Sequence, residues 1–148
     1  MAKLFSRSVD PKVADLKRVA IFSQLSGGDL QWISSEMDEI EVTEGTELTR
    51  QGQPGHSFYV LLEGAASVVI DGREVATMEP GDFFGEISML DRGPATATVT
   101  TTAPARMLVM SHQQFRDAIR SNDEVLQGVM AAMGARLRAN QSAGFARG

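Results

Sequence analysis

Residues 80–90 include residue types that suit a small ligand site. Gly81 and Gly85 allow the backbone to approach a ligand closely, and residues 87–90 can open a short helical turn whose free N–H groups would point at a phosphate. Glu86 lies beside them and can accept hydrogen bonds from sugar hydroxyls, whereas its charge would repel a phosphate. This combination indicates a ligand that carries both a phosphate and a sugar.

Two strings of residues carry the order that matters, F-G-E-I-S-M-L at 84–90 and P-A-T-A-T-V at 94–99. Together they resemble the phosphate-binding cassette of the cyclic nucleotide-binding domain family, found in catabolite activator proteins, protein kinase A regulatory subunits and cyclic nucleotide-gated channels. We refer to residues 84–99 as the cassette. The resemblance implies that Glu86 binds the ribose and that Ser88 and Thr96 offer hydroxyl or amide groups to the phosphate. The ligand-binding residues that it implies are Gly85, Glu86, Ile87, Ser88, Ala95, Thr96 and Ala97.

One cassette position departs from the family pattern. Where the family has the arginine that clamps the cyclic phosphate, this sequence has Ala95. A hydrogen bond to a charged group contributes about 1.5–3 kcal/mol, so its loss should weaken binding by about one to two orders of magnitude. Arg92 in the same loop either compensates or is a solvent-exposed charge. Three alternatives remain open: weak binding of a cyclic nucleotide, a different small ligand, or a pocket that no longer binds one.

From residue 40 the hydrophobic pattern changes to short strands separated by glycines, which indicates a β-sandwich or jelly roll. Asp71-Gly72 between apolar runs predicts a hairpin. The run at 44–64 is also similar to the family, which extends the resemblance over about residues 16–137. The expected fold class is mainly β, a jelly-roll β-barrel (double-stranded β-helix) flanked by N- and C-terminal helices. The predicted strands are 40–42, 46–49, 58–63, 65–70, 73–78, 95–102 and 106–111.

Helical patterns lie on both sides of the predicted barrel. Asp10-Pro11 can begin a helix that reaches about residue 20, and a second helix is predicted near 28–37. After the barrel, Ser111 can cap a helix that ends at about residue 120, and Asn122 or Asp123 can cap the last helix. The side chains expected to face inward from these helices are Leu30, Ile33, Met37, Phe115, Ala118 and Ile119.

The last helix has an apolar stripe at alternating spacings of four and three residues, formed by Leu126, Met130, Met133 and Leu137. Two heptads are too short for an autonomous coiled coil, so the stripe must pack on the barrel, on a twin helix, or on both. The family uses this helix as a dimer seam and as a lid over the base. The resemblance therefore implies a homodimer, and packing within one chain is the alternative.

Length and composition support one domain over residues 1–148, with the barrel at about 40–111 and the C-terminal helices at about 112–139. The net charge of −5 indicates no basic face for nucleic acid. The absence of cysteine excludes disulfides and thiolate metal sites and is compatible with a reducing compartment. No apolar run has the length of a membrane span or the pattern of a signal peptide, so we expect a cytoplasmic protein.

The sequence gives no indication of catalysis or of a metal site. His56 and His112 are far apart in sequence and form no metal-spaced pair, and no G-x-S-x-G or H-E-x-x-H string is present. We therefore expect a stand-alone regulatory domain, resembling a sensor of cAMP or cGMP, that signals through its last helix to a second subunit or an effector protein. The competing hypothesis is a ligand-free interaction or dimerisation module of the same fold.

Overall fold

The strands of this chain form two antiparallel sheets. The structure, a computed structural model, describes residues 14, 16, 19, 22, 23, 25–85 and 93–142, without the side chains of 129, 132, 133, 136, 137 and 139–142. The elements in chain order are α1 (Gly27–Ser35), β1 (Asp38–Val42), β2 (Glu47–Thr49), β3 (Ser57–Glu63), β4 (Ala66–Ile70), β5 (Arg73–Met78), β6 (Phe83–Phe84), β7 (Thr98–Thr101), β8 (Ala105–Ser111), α2 (His112–Ser121) and α3 (Asp123–Ser142).

The sheets have the strand orders β1-β8-β3-β6 and β2-β7-β4-β5, and their pairings are antiparallel. Except in the β4–β5 pair, neighbouring strands come from distant parts of the chain. In the β3–β8 pair, Phe58 lies opposite Met110 and Val60 lies opposite Leu108. This arrangement is a jelly-roll barrel with helices on its flanks, which confirms the predicted fold class.

The hydrophobic core has one cluster under the helices and one between the sheets. Phe58 on β3 is fully buried, its ring stacks on Phe115 of α2 with centroids 4.4 Å apart, and Phe22 meets it edge-on at 6.3 Å. Aromatic pairs of this kind add about 0.5–1.5 kcal/mol to the free energy of burial. The second cluster brings Leu61 and Met107 of one sheet against Val99 of the other. Phe58 therefore ties both helical flanks to the barrel.

The hairpin predicted at Asp71-Gly72 joins β4 to β5. Both residues have positive φ, 54° and 77°, as a two-residue turn with the twist of the flanking strands requires. Gln51 holds this turn from outside, because its side-chain amide donates to Asp71 Oδ1 at 2.9 Å and accepts from the Asp71 N–H at 2.8 Å. The hairpin is confirmed, and it is attached to the loop that follows β2.

The helix ends follow the predicted capping residues. Ser111 and Gln114 form a reciprocal capping box at the start of α2. Asn122 Oδ1 accepts from the Glu124 N–H at 2.9 Å at the start of α3. The side chains of Leu30, Ile33, Met37, Phe115 and Ala118 are buried as expected, and Ile119 packs against their cluster.

The helix predicted at about 11–20 lies mostly outside the described residues, although Leu16 and Val19 within it are buried. Of the helices in the described part of the chain, none combines the length and the apolar character that crossing a bilayer requires.

One predicted strand differs from the structure at its ends, and one observed strand was not predicted. The strand predicted at 95–102 is wrong at its ends, because β7 covers only Thr98–Thr101. The ladder with β2 shifts register between Glu47 and Thr49. Just before β7, the Ala97 carbonyl accepts a hydrogen bond from Thr49 Oγ1 at 3.0 Å. β6 was not predicted, since two residues are too short for a periodic pattern.

Candidate functional site

The cassette has two arms, residues 84–90 and 94–99, and the structure describes Phe84 and Gly85 of the first arm. Gly85 lies so close to β3 that only glycine fits at this position. Gly85 has φ +98°, and a Cβ there would overlap the Ser57 carbonyl oxygen and lie 3.2 Å from Phe58 Cα. Immediately before it, the Phe84 ring stacks on Tyr59 with centroids 4.7 Å apart. Burial raises the pKa of the Tyr59 hydroxyl above its ordinary value of 10.0, so this stack is neutral at physiological pH. Gly85 is thus fixed against the first residues of β3.

The turn that leads into β6 fixes this arm from the other side. Gly81 has φ +99°, and its N–H donates to the Leu61 carbonyl at 2.8 Å, while the Leu61 N–H donates to the Asp82 carbonyl at 2.9 Å. Asp82 Oδ2 also accepts from the Glu79 N–H at 2.9 Å. Gly81 therefore belongs to a turn that is hydrogen-bonded to β3, whereas Gly85 belongs to the cassette.

The second arm of the cassette pairs with the loop between β2 and β3, residues 50–56. The Ala95 N–H donates to the Gln53 carbonyl and the Ala95 carbonyl accepts from the Gly52 N–H, each at 2.9 Å, and Pro94 forms a bridge with Pro54. Ala95 is 9% exposed. Both backbone groups of Ala95 are hydrogen-bonded, so its backbone is held in place and fixes the direction in which Cβ points.

The remaining residues of the second arm have mixed exposure. Thr96 is exposed and Ala97 is half-buried. Thr98 Oγ1 accepts from the Gln51 N–H at 3.0 Å, so its hydroxyl has a structural partner in the same loop. Gly85, Ala95, Thr96 and Ala97 are the predicted site residues that the structure describes. Glu86, Ile87, Ser88 and Arg92, with the helical turn expected at 87–90, lie outside the described residues.

A buried histidine connects the first arm to α2. The His112 imidazole is 8% exposed, and its Nε2 lies 3.0 Å from the Gly85 carbonyl oxygen and 3.1 Å from that of Ser57. Both partners are acceptors, so Nε2 carries the proton and donates to them. Burial lowers the pKa of His112 from its ordinary 6.5, opposed by these two hydrogen bonds and reinforced by the positive charges of Arg116 and His56.

An open cleft of about 680 Å³ lies where the β2–β3 loop, residues 93–94 of the cassette and the start of α2 meet. It brings His56 and His112 together, although 56 residue numbers separate them along the chain, because the Ser57–Ser111 pairing places the ends of β3 and β8 side by side. Among the described residues no group of three or more metal-ligating side chains is present. The lining residues are Gly52, Pro54, Gly55, His56, Gly93, Pro94, Ser111, His112, Gln113 and Arg116.

Sequence reasoning missed the residues that hold the two cassette arms in place. The β2–β3 loop supplies the partners of Pro94 and Ala95, and the carbonyl of Ser57 lies against Gly85. The G-Q-P-G turn signal at 52–55 could have indicated a fixed loop but not its partner. A single histidine after a helix cap carries no signal that it reaches a glycine 27 residues earlier.

The stripe on α3 is only partly described. Leu126 is half-buried, whereas the Met130 side chain is 63% exposed. Met133 and Leu137 belong to α3, but their side chains lie outside the description. Met130 thus contributes little to packing within this chain.

Comparison with known proteins agrees with this architecture. The family model described as "Cyclic nucleotide-binding domain" matches residues 39–122. The chain is 27% identical over 128 residues to a CRP-like cAMP-activated global transcriptional regulator of Mycobacterium tuberculosis, covering 83% of this chain and 57% of that protein. It is 31% identical over 101 residues to a cAMP-dependent protein kinase regulatory subunit of Hypocrea atroviridis, covering 68% of this chain and 22% of that protein.

A solved structure of similar fold is the Thermus thermophilus catabolite activator protein, with a TM-score of 0.75 and 24% identity over 82% of this chain and 60% of that one. The chain thus spans less than two thirds of each of these relatives. Since the family model covers more than half of the chain, including every strand from β2 to β8 and both described arms of the cassette, this protein belongs to the cyclic nucleotide-binding domain family.

Proposed function

We propose that this chain is a regulatory module that binds a cyclic nucleotide, cAMP or cGMP, in the cassette and relays occupancy through its C-terminal helix. The observation that carries the proposal is the way both cassette arms are held. Gly85 is fixed against Ser57, and Ala95 is fixed against the loop just before Ser57. The segment 52–57 therefore supports both arms of the cassette, from which the ligand contacts of the family come.

The ligand class follows from the family and from the relatives. The Mycobacterium tuberculosis regulator is named cAMP-activated and the Hypocrea atroviridis subunit cAMP-dependent. In this chain the proposed roles are hydrogen bonding of Glu86 to the ribose and of Ser88, Thr96 and cassette amides to the phosphate. The closely approaching backbone at Gly85 suits a site built largely from main-chain donors.

Binding is proposed to be weak because Ala95 supplies no charge at the position of the family's arginine. A buried phosphate without a cation loses a charge-assisted pair, which corresponds to about one to two orders of magnitude in affinity. Arg92 remains the candidate for compensation. We also propose that the protein is soluble, cytoplasmic and not an enzyme. In this proposal it acts on an effector protein and does not bind nucleic acid.

A second candidate function is a ligand-free dimerisation module. The exposed Met130 on α3 favours it, since a solvated methionine in an apolar stripe indicates a surface that a partner covers. Both functions use α3 as the output, and they differ in whether the cassette is occupied.

Isothermal titration calorimetry of the wild-type chain with cAMP, cGMP and 5′-AMP tests the proposal. We expect weak but saturable binding of a cyclic nucleotide, less binding of 5′-AMP, and a loss of at least about tenfold in Glu86→Gln because the ribose loses its charged acceptor. Glu79→Gln, a matched change at an exposed residue outside the cassette, should leave the affinity unchanged. Absence of cyclic nucleotide binding in both the wild type and Ala95→Arg would favour the dimerisation module instead.

A further inference from the structure

The start of α2 is joined to the start of the cassette by a single side chain. The His112 Nε2–H is shared between the Gly85 and Ser57 carbonyl oxygens at 3.0 and 3.1 Å, while the His112 backbone N–H donates to the His56 carbonyl at 2.9 Å. His112 is buried, with 8% of the residue exposed, so water does not compete effectively for these bonds.

The two acceptors are themselves in tight contact. The Ser57 carbonyl oxygen is the atom that excludes a Cβ at Gly85, so Gly85, Ser57 and His112 form one packed junction. A displacement of the Gly85 carbonyl must either break the bond to His112 or move His112 with it. An unsatisfied buried N–H is costly, which favours the second outcome.

Movement of His112 cannot stop at the first turn of α2. The capping box of Ser111 and Gln114 fixes that turn, and Phe115 stacks on Phe58 at 4.4 Å. Ala118 on α2 and Val125 on α3 are both fully buried in the same cluster. The two helices therefore share a packed core with His112 at its edge, and a shift at His112 reaches α3 through contiguous contacts.

We propose that His112 is a positioning residue that couples Gly85, near the start of the cassette, to the C-terminal helices. This inference rests on the proposed function for the source of the movement, which is occupancy of the cassette. His112 transmits that movement because its buried donor holds Gly85.

The test compares three substitutions. His112→Gln keeps an N–H donor at the same number of bonds from Cβ and can serve both carbonyls, whereas His112→Leu keeps apolar bulk and removes the donor. His56→Leu is the matched control, because that side chain lines the same cleft but is exposed and only its backbone carbonyl takes part in the junction.

Hydrogen exchange followed by mass spectrometry is measured with and without cAMP, in the Ala95→Arg background and at matched occupancy of the ligand. We expect cAMP to slow exchange in the 83–98 segment of every variant. Slowing in α2 and α3 should be present in the parent, His56→Leu and His112→Gln proteins and lost in His112→Leu. A His112→Leu protein that keeps the ligand-induced protection of α2 would overturn the coupling while leaving ligand binding intact.

A ligand-free measurement separates this inference from the proposed function. In the His56→Leu protein, titration of His112 is followed by NMR from pH 8 to 5 through its imidazole nitrogens and through the amides of residues 85 and 113–115. The groups that face His112 are then Arg116 and the Gly85 and Ser57 carbonyls. We expect the amides on both elements to titrate with the midpoint of the imidazole. Amides at Gly85 that do not follow His112 would refute the link, whether or not any nucleotide binds.

Discussion

Gly85 and Ala95 are two described cassette residues that are held by other segments of the barrel. Gly85 is constrained by contact, since its φ and the nearby Ser57 carbonyl both exclude a side chain. Ala95 is held through its backbone, by hydrogen bonds to Gly52 and Gln53 in which its side chain takes no part. Substitutions at these residues therefore test different properties, stability at Gly85 and affinity at Ala95.

Gly85→Ala is expected to destabilise the fold more than Gly72→Ala. Both glycines have positive φ, 98° and 77°, but a Cβ at Gly72 meets nothing within 4 Å whereas one at Gly85 overlaps backbone of β3. The conformational cost common to both is about 1–3 kcal/mol, and the overlap adds to it only at Gly85. Chemical denaturation of the two variants measures the difference, and equal losses of stability would show that β3 yields at this contact.

Ala95→Arg is expected to raise the affinity for cAMP by about ten to a hundredfold, because a guanidinium can donate two parallel bonds to the exocyclic phosphate oxygens. Ala95→Gln is the matched control, with a long polar side chain that lacks the charge, and it should give a much smaller gain. Calorimetric titration of both proteins checks this. Tight binding by the wild type that is lost in Arg92→Ala would show instead that Arg92 already provides the clamp.

The elements around the site depend on one another through β3. Its first residues contact the start of the cassette, its Phe58 anchors both helical flanks, and its pairing with β8 brings the start of α2 to the same end of the barrel. The junction of β3, β6 and α2 is therefore where a change of protonation should affect the fold.

The free energy of unfolding is expected to fall below pH 6.5 in a way that depends on His112. Burial lowers the pKa of His112 in the folded state, so between its lowered value and the ordinary 6.5 the unfolded chain binds the extra proton. The contribution of His112 is thus fully present above pH 6.5 and is lost as the pH falls toward the folded pKa. Urea denaturation between pH 8 and 5 should show a steeper decline for the wild type than for His112→Gln. Parallel curves would contradict the lowered pKa of His112, since the two proteins differ only at that residue.

At the scale of the whole molecule, the exposure of apolar side chains changes along α3. Val125 at its start is fully buried in the helical core, Leu126 is half-buried, and Met130 one turn later is 63% exposed. Exposure thus increases from Leu126 to Met130, the two stripe residues whose side chains the structure describes. Most helices in proteins gain their stability by packing an apolar face.

We predict that the chain is a homodimer through α3 and that Met130→Glu together with Met133→Glu produces a folded monomer, because the pair of carboxylates would have to be buried in the seam. Gln127→Glu with Ala131→Glu adds the same charge at exposed neighbouring positions and should leave the dimer intact. Multi-angle light scattering measures the mass of each protein. A wild-type chain that is monomeric at high concentration would refute the seam.

Sequence reasoning identified the family, the jelly-roll class, the Asp71-Gly72 hairpin and the caps of α2 and α3, because each depends on local signals: residue order, short-range periodicity and side chains that bond within a few residues. The cassette glycine and the alanine at 95 were also visible in this way. The ends of β7 were not, since they depend on a register shift against β2 and on hydroxyl and carbonyl partners nearly fifty residues away, such as Thr49 to Ala97.

Only the tertiary structure decided how the two cassette arms are supported. The attachment of Ala95 to the β2–β3 loop, the overlap that requires glycine at 85 and the bond from His112 to Gly85 all join segments that are remote in sequence. Such contacts arise from the antiparallel pairing of β3 with β6 and β8, which brings the starts of β3 and α2 together with the end of β6. A local pattern carries no information about which distant carbonyl a buried donor will meet, because that partner is selected by the packing of the whole barrel.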